Sequence, residues 1–204
     1  MKRRRRASSG RPGGAMNLYV ASAVGRGWTE LAAFDRALVD VGAANFNLIR
    51  LSSVIPPGSS VIDVPRCPPL PEACWGDRLY VVYAEQRTSQ PGAEVWAGVG
   101  WVHDPRTGGL FVEHEGCDES SVRRDITASL EELQASRGLD LGPPNVRVIG
   151  DRCTDLPCCA LVLCAYSAER WSRRLDPTAG RPARLVDRDQ DRRPASDDDI
   201  ARAS

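Results

Sequence analysis

The stretch NFNLIRLSSVIPPGSSV, from Asn45 to Val61, most constrains what this chain can fold into. Asn45 to Leu51 is rich in strand-forming residues, whereas Pro56 and Pro57 have no amide hydrogen for a ladder and cannot continue a helix. The residue before a proline is also driven toward extended backbone. Two adjacent serines, Ser52 and Ser53, are therefore delivered to the point where regular structure ends, in a turn closed by Gly58. A peptide bond held there can be strained and reached by its own side chain. Either the chain cuts itself between the serines, or the pair simply opens a proline-rich loop.

A chain of 204 residues with 42% hydrophobic content is long enough for one domain with a substantial core. No apolar run approaches the length that crosses a bilayer. The formal charge of zero hides an asymmetry. The first 14 residues carry six basic and no acidic groups, the last 24 carry six of each, and the body between them holds 15 basic and 21 acidic groups of the 27 and 27 in all. An acidic body does not suit nucleic acid and weakly suits a small cationic molecule. The seven cysteines, Cys67, Cys74, Cys117, Cys153, Cys158, Cys159 and Cys164, are odd in number and irregular in spacing. With only His103 and His114 as imidazoles, they predict buried free thiols in a reducing cytoplasm and no metal site.

In chain order, residues 1–15 form a basic, glycine-rich segment that cannot bury enough apolar surface to fold alone. Its arginine cluster does not continue into an export signal, and Met16 offers an alternative start. Asn17 to Val24 reads as a first strand. A helix follows, with Thr29 as N-cap, Gly42 as stop, and a stripe of Leu31, Phe34, Leu38 and Val41. Asp35 lies along that stripe. Its carboxylate either meets something cationic or sits at the stripe's edge, solvated or paired with Arg36 or a neighbouring arginine. Residues 62–77 read as a surface excursion. Arg78–Glu85, Glu94–Asp104 and Gly109–Gly116 are successive strands, the last two joined by a turn over Pro105 to Gly109. On the third, Phe111, Glu113 and Glu115 share one face and Val112 and His114 the other. The carboxylates are either an acid and base beside an aromatic ring or an ordinary acidic face. Asp118 to Arg137 is a second amphipathic helix with a stripe of Val122, Ile126, Leu130 and Leu133, and nothing in it suggests chemistry. Strands at Asn145–Asp151 and Cys159–Ser167 complete the sheet, and residues 173–204 read as a disordered charged tail. Strands and helices that do not strictly alternate point to α+β architecture in a single domain over 16–172.

The combination of Asn47, Ser52, Ser53, Pro56, Pro57 and Gly58 resembles the self-processing segment of the pyruvoyl-dependent arginine decarboxylases, a resemblance that runs from about Met16 to Ser167. It implies cleavage between Ser52 and Ser53, with Asn47 assisting, and conversion of Ser53 into a covalent pyruvoyl cofactor. By the same resemblance Asp35, with Leu31 and Leu38 beside it, binds the substrate guanidinium, and Glu113 returns a proton to the substrate carbon, a task that needs an acid held in place. The product it implies is agmatine. The fold implied is a four-layer αββα sandwich, assembled as a homotrimer with active sites between subunits. Lysine chemistry fits the chain poorly, since the only lysine is Lys2 and the body has none for a pyridoxal Schiff base. Other readings of the scaffold are an uncleaved noncatalytic or regulatory paralogue, and a pyruvoyl decarboxylase for another amino acid. A serine hydrolase is disfavoured because neither serine lies in a GxSxG elbow.

Overall fold

The computed structural model describes residues 16–69 and 73–171. The tails expected at 1–15 and 173–204 lie outside the described residues. The element order is β1 (Met16–Arg26), α1 (Glu30–Val41), β2 (Asn47–Arg50), β3 (Val54–Ile55), β4 (Ser59–Asp63), β5 (Arg78–Thr88), β6 (Glu94–Asp104), β7 (Gly108–Gly116), α2 (Glu119–Arg137), β8 (Asn145–Arg152) and β9 (Cys158–Glu169). The strands form a five-stranded sheet in the order β2-β5-β9-β1-β4 and a four-stranded sheet in the order β3-β7-β6-β8. Pairing is antiparallel except for β1 with β4 and β2 with β5. The architecture is α+β, two sheets and two helices, as the pattern of elements predicts.

Three apolar clusters make up the interior. One draws Leu18, Val20, Val82 and Val162 from the five-stranded sheet and Val95, Ala97, Val99 and Phe111 from the four-stranded sheet. A second joins Ala33, Ala37, Leu38 and Val41 of α1 to Ala21, Val81, Leu161 and Leu163. The third joins Val122, Ile126 and Leu130 of α2 to Val102, Leu110 and Val112. Neighbours in one strand, such as Val20 and Ala21 or Val81 and Val82, therefore serve different clusters, as the two-residue period of a strand requires. Strand β9, central to its sheet, is buried continuously from Cys158 to Ala165.

Helix α1 begins where predicted, with the Thr29 hydroxyl accepting from the Ala32 amide at 3.1 Å, and ends at Gly42 in the left-handed region (φ 83°). Its buried stripe differs from the expected one. Leu31 is 68% exposed and the alanines Ala33 and Ala37 are fully buried instead. The cause is Gly25 of β1, where an added Cβ would lie 2.0 Å from the Ala33 carbonyl oxygen and 2.5 Å from the Ala37 nitrogen. Backbone packs on backbone along that line, which turns Leu31 and Asp35 outward. On the other helix, glycine plays a similar part: Gly98 and Gly100 of β6 leave the hollow that Ile126 fills.

The predicted surface excursion at 62–77 is also corrected. Its first residues complete β4, which pairs in parallel with β1 from Met16↔Ser59 to Val20↔Asp63. Cys67 is buried, and Arg66 donates to the Val39 and Asp40 carbonyls at 2.7 and 3.2 Å, satisfying orphan acceptors at the end of α1. The polar pair Ser59–Ser60 and the nearby prolines hide this edge strand from any alternation pattern. All seven cysteines are free, five buried and two, Cys74 and Cys117, exposed. Burial pushes the Cys67 thiol up to about 11 and the Cys159 thiol up to about 12.

Gly25→Ala is expected to lift α1 off β1 and cost at least about 2 kcal/mol through overpacking. For a domain of this size that lowers the melting midpoint by about 5 °C or more. A variant melting within about 1 °C of the parent in calorimetry would contradict so close a seat.

Candidate active site

The serine pair lies where the chain leaves one sheet for the other. Strand β2 is the edge of the five-stranded sheet and β3 the edge of the four-stranded sheet, and only Leu51, Ser52 and Ser53 separate them. Leu51 still donates to the Val81 carbonyl at 2.9 Å. Ser53 then turns the chain with φ 66°, one of two described non-glycine residues at positive φ. A side chain in that region costs on the order of 1–2 kcal/mol, so the residue next to the 52–53 bond is held in a strained conformation by its surroundings.

Two contacts hold Ser53, and a third holds the residue after it. The Phe111 amide donates to the Ser53 carbonyl at 2.8 Å, the Ser53 hydroxyl donates to Oε1 of Glu113, and the Tyr166 hydroxyl donates to the Val54 carbonyl at 3.1 Å. Val54 and Ile55 pair with Leu110 and Gly109 to continue the sheet. That approach is possible because Gly108, at φ 93°, has no side chain: a Cβ there would lie 2.4 Å from the Ile55 carbonyl oxygen. The proline pair ends β3 after two residues, and the Gly58 amide then ties the turn to the Pro105 carbonyl at 2.8 Å.

Strand β7 sends its side chains the two ways expected of it. Phe111 packs in the cluster shared by both sheets, Glu113 is half-buried beside Ser53, and Glu115 is exposed. Opposite them, Val112 packs against α2 and the His114 Nε2 lies 2.9 Å from the Ser129 Oγ. A cavity of about 520 Å³ opens beside the serines, with Ser52, Ser53 and Glu113 on one wall and Ser129, Glu132 and Arg137 of α2 on another. Sequence reasoning gave α2 no chemical role. Its polar wall becomes visible only once β7 is placed against the helix. Tyr166 was missed as well, because one tyrosine in an apolar strand carries no motif. Its phenol is pushed above the ordinary tyrosine range by burial, reinforced by Cys164 and Glu113, so it remains a donor.

None of the other expected site residues lines the cavity beside Ser53. Asn47 is exposed at the start of β2, six residues and up to about 20 Å of extended chain from Ser53. Its amide donates to the Gly76 carbonyl at 2.5 Å. Asp35 and Leu31 are exposed on α1, which packs on β1, β9 and β5, whereas Leu38 is nearly buried in the cluster beneath that helix.

The family model for pyruvoyl-dependent arginine decarboxylase matches residues 17–169. The chain belongs to the pyruvoyl-dependent arginine decarboxylase family. Within this family, a protein of that name from Halobacterium salinarum is 38% identical over 122 residues, 58% of this chain and 73% of the relative. Another from Thermococcus kodakarensis is 31% identical over 147 residues, 71% of this chain and 90% of the relative. A third, from Pyrococcus abyssi, is 33% identical over 145 residues, covering 69% and 87%. The family match thus runs from the second residue of β1 to the last residue of β9.

The site also fits the covalent pyruvoyl group the family name carries. Position 53 has a carbonyl already gripped by an amide, a carboxyl group within hydrogen-bonding reach, and a cavity beside it. Gly108→Ala is expected to push β3 off β7 and so release the Phe111 amide from Ser53. Hydrogen exchange at Phe111 should rise at least about tenfold, the loss of about 1.4 kcal/mol of protection, and an unchanged rate would contradict this packing.

Proposed function

We propose that this chain cuts itself between Ser52 and Ser53 and uses the pyruvoyl group left at position 53 to convert arginine into agmatine and carbon dioxide. The observation that carries this reading is the strained Ser53, its hydroxyl on Glu113, at a sheet-to-sheet crossing beside a cavity. Cleavage begins as Oγ of Ser53 attacks the Ser52 carbonyl carbon. The carbon–nitrogen bond breaks and the freed amine keeps the hydroxyl proton. Removal of the Ser53 α-proton then expels Ser52 as a carboxylate, and water replaces the nitrogen, which leaves as ammonia. The products are Met1–Ser52 and a second chain from position 53 to Ser204.

The pyruvoyl carbonyl supplies the electron sink that allows a carboxyl group to leave as carbon dioxide. The chain's own residues do the rest. Glu113, within reach of position 53, returns a proton to the substrate carbon. Phe111 fixes the carbonyl of residue 53 through its amide. Asp35 binds the guanidinium as a planar, two-point partner, with Leu31 against the alkyl stem and Leu38 fixing the helical turn that carries them.

These residues meet in a homotrimer of cut chain pairs, where Asp35, Leu31 and Asn47 of one subunit approach Ser53 of the next. Asn47 assists cleavage there as a neutral donor to the developing oxyanion. Their exposure, and their absence from the lining of the cavity beside Ser53, support a composite site. Exposed apolar side chains near both halves support it too: Val54 beside the serines, and Trp28 and Leu31 at α1. The three apolar clusters support a four-layer order of α1, five-stranded sheet, four-stranded sheet and α2 within a single domain over 16–172. Free thiols support a reducing cytoplasm, and among the described residues no helix is long and apolar enough to cross a membrane.

Intact mass spectrometry should find two chains, the larger lacking the nitrogen of Ser53, and borohydride should abolish carbon dioxide release from arginine. A single continuous chain, or activity indifferent to borohydride, would refute the reading. Glu113→Gln should lower kcat by about 10²–10⁴ in cut protein while arginine still binds, as loss of a general acid does. A kcat within about threefold of the parent would remove Glu113 from that role.

A further inference from the structure

We propose that Tyr166 is a positioning residue whose hydroxyl, bonded to the Val54 carbonyl, keeps the cofactor-bearing chain end against Glu113 once the 52–53 bond is gone. This rests on the self-cleaving reading above and assigns a residue to the stage that follows the cut. Before cleavage the serines are tethered from both sides, upstream by β2 and the Leu51 amide on Val81, downstream by β3. Cleavage removes the upstream tether. What remains is an edge strand of two residues, Val54 and Ile55, whose end would fray without further contacts.

Two bonds grip this end, and both act on carbonyls downstream of the cut, so both survive it. One is the Phe111 amide on the Ser53 carbonyl, which comes from the same sheet. The other comes from the opposite sheet: Tyr166 belongs to β9 and bonds Val54 at 3.1 Å. Together they pin the end against movement both along and across the gap between sheets. The phenol is itself fixed. Its ring packs edge-on against Phe111, centroids 6.1 Å apart with planes at 64°, so the residue that holds Ser53 by its amide also braces the ring that holds Val54. Burial keeps the phenol protonated and donating.

The test compares the parent with Tyr166→Phe and with p-aminophenylalanine at 166, which restores a donor on the same ring. Cleavage is followed by intact mass and turnover by carbon dioxide release from arginine. Tyr166→Phe should be cut to the parent's extent, melt within about 4 °C of it, and lose roughly tenfold in kcat with KM within about twofold, as a displaced reacting group does. The amino variant should recover most of that kcat. The inference is overturned if Tyr166→Phe keeps kcat within twofold, if the amino variant fails to recover it, or if the effect falls on KM. It is equally overturned if Tyr166→Phe is not cut or does not fold, because the hydroxyl would then act before cleavage or on the fold itself. A parent that is neither cut nor active refutes the underlying function instead, whereas an active parent with an indifferent Tyr166→Phe refutes this role alone.

Discussion

The bond from the Phe111 amide to the Ser53 carbonyl is where the geometry of the site begins. It is the first rung of the β3–β7 ladder and the last support of the crossing between sheets, so it fixes both where β3 starts and which way Ser53 faces. With that carbonyl held, the left-handed φ of Ser53 directs its hydroxyl to Glu113, two residues along β7 from Phe111. The two-residue period of β7 puts Phe111 and Glu113 on one side, so a ring that fills the core and a carboxyl that reaches the serine come from one stretch of strand. The strain at Ser53, on the order of 1–2 kcal/mol, is small against the packing that imposes it.

That packing is close because small residues lie under both helices. Gly25 beneath Ala33 and Ala37, and Gly98 and Gly100 beneath Ile126, bring α1 and α2 against their sheets at short range. Ile126 is locked between two glycines of β6, and α2 is thereby set at the height where Ser129 reaches His114 and where Glu132 and Arg137 face the cavity. Helices resting on larger side chains would stand farther off and leave that wall open. The glycines of β6 therefore bear on the site without touching it.

Much of this was legible in the sequence where a local rule decides the outcome. Thr29 and Gly42 bound α1 because capping depends on one side chain and one backbone angle, and β6 occupies Glu94–Asp104 as its β-branched and aromatic run predicts. The opposed faces of β7 followed from alternation alone. What was not legible depends on partners distant in the chain. Leu31 looked buried by its helical spacing, yet a glycine on β1 decided which line of α1 packs inward. Strand β4 has no pattern of its own and exists because β1 offers it an edge. Tyr166 lies 112 residues from Val54, and no periodicity links an ordinary strand tyrosine to a carbonyl that far away.

Resemblance brought Asn47, Asp35 and Ser53 into one site, whereas a single chain holds them on three different elements: the start of β2, helix α1 and the crossing from β2 to β3. The two are compatible under the proposed homotrimer, because a site between copies requires that separation. A residue that must reach a neighbour's serine has to be exposed and remote from its own, and Asp35, Leu31 and Asn47 are all exposed. Glu113 has the opposite requirement. As the proposed proton donor it has to lie close to position 53 throughout, and it comes from the strand that pairs with β3. In the proposed homotrimer, Ser53 and Glu113 come together as one chain folds, whereas Asn47, Asp35 and Leu31 reach position 53 only from a neighbour. On that reading both assisted cleavage and recognition of a cationic substrate wait for assembly.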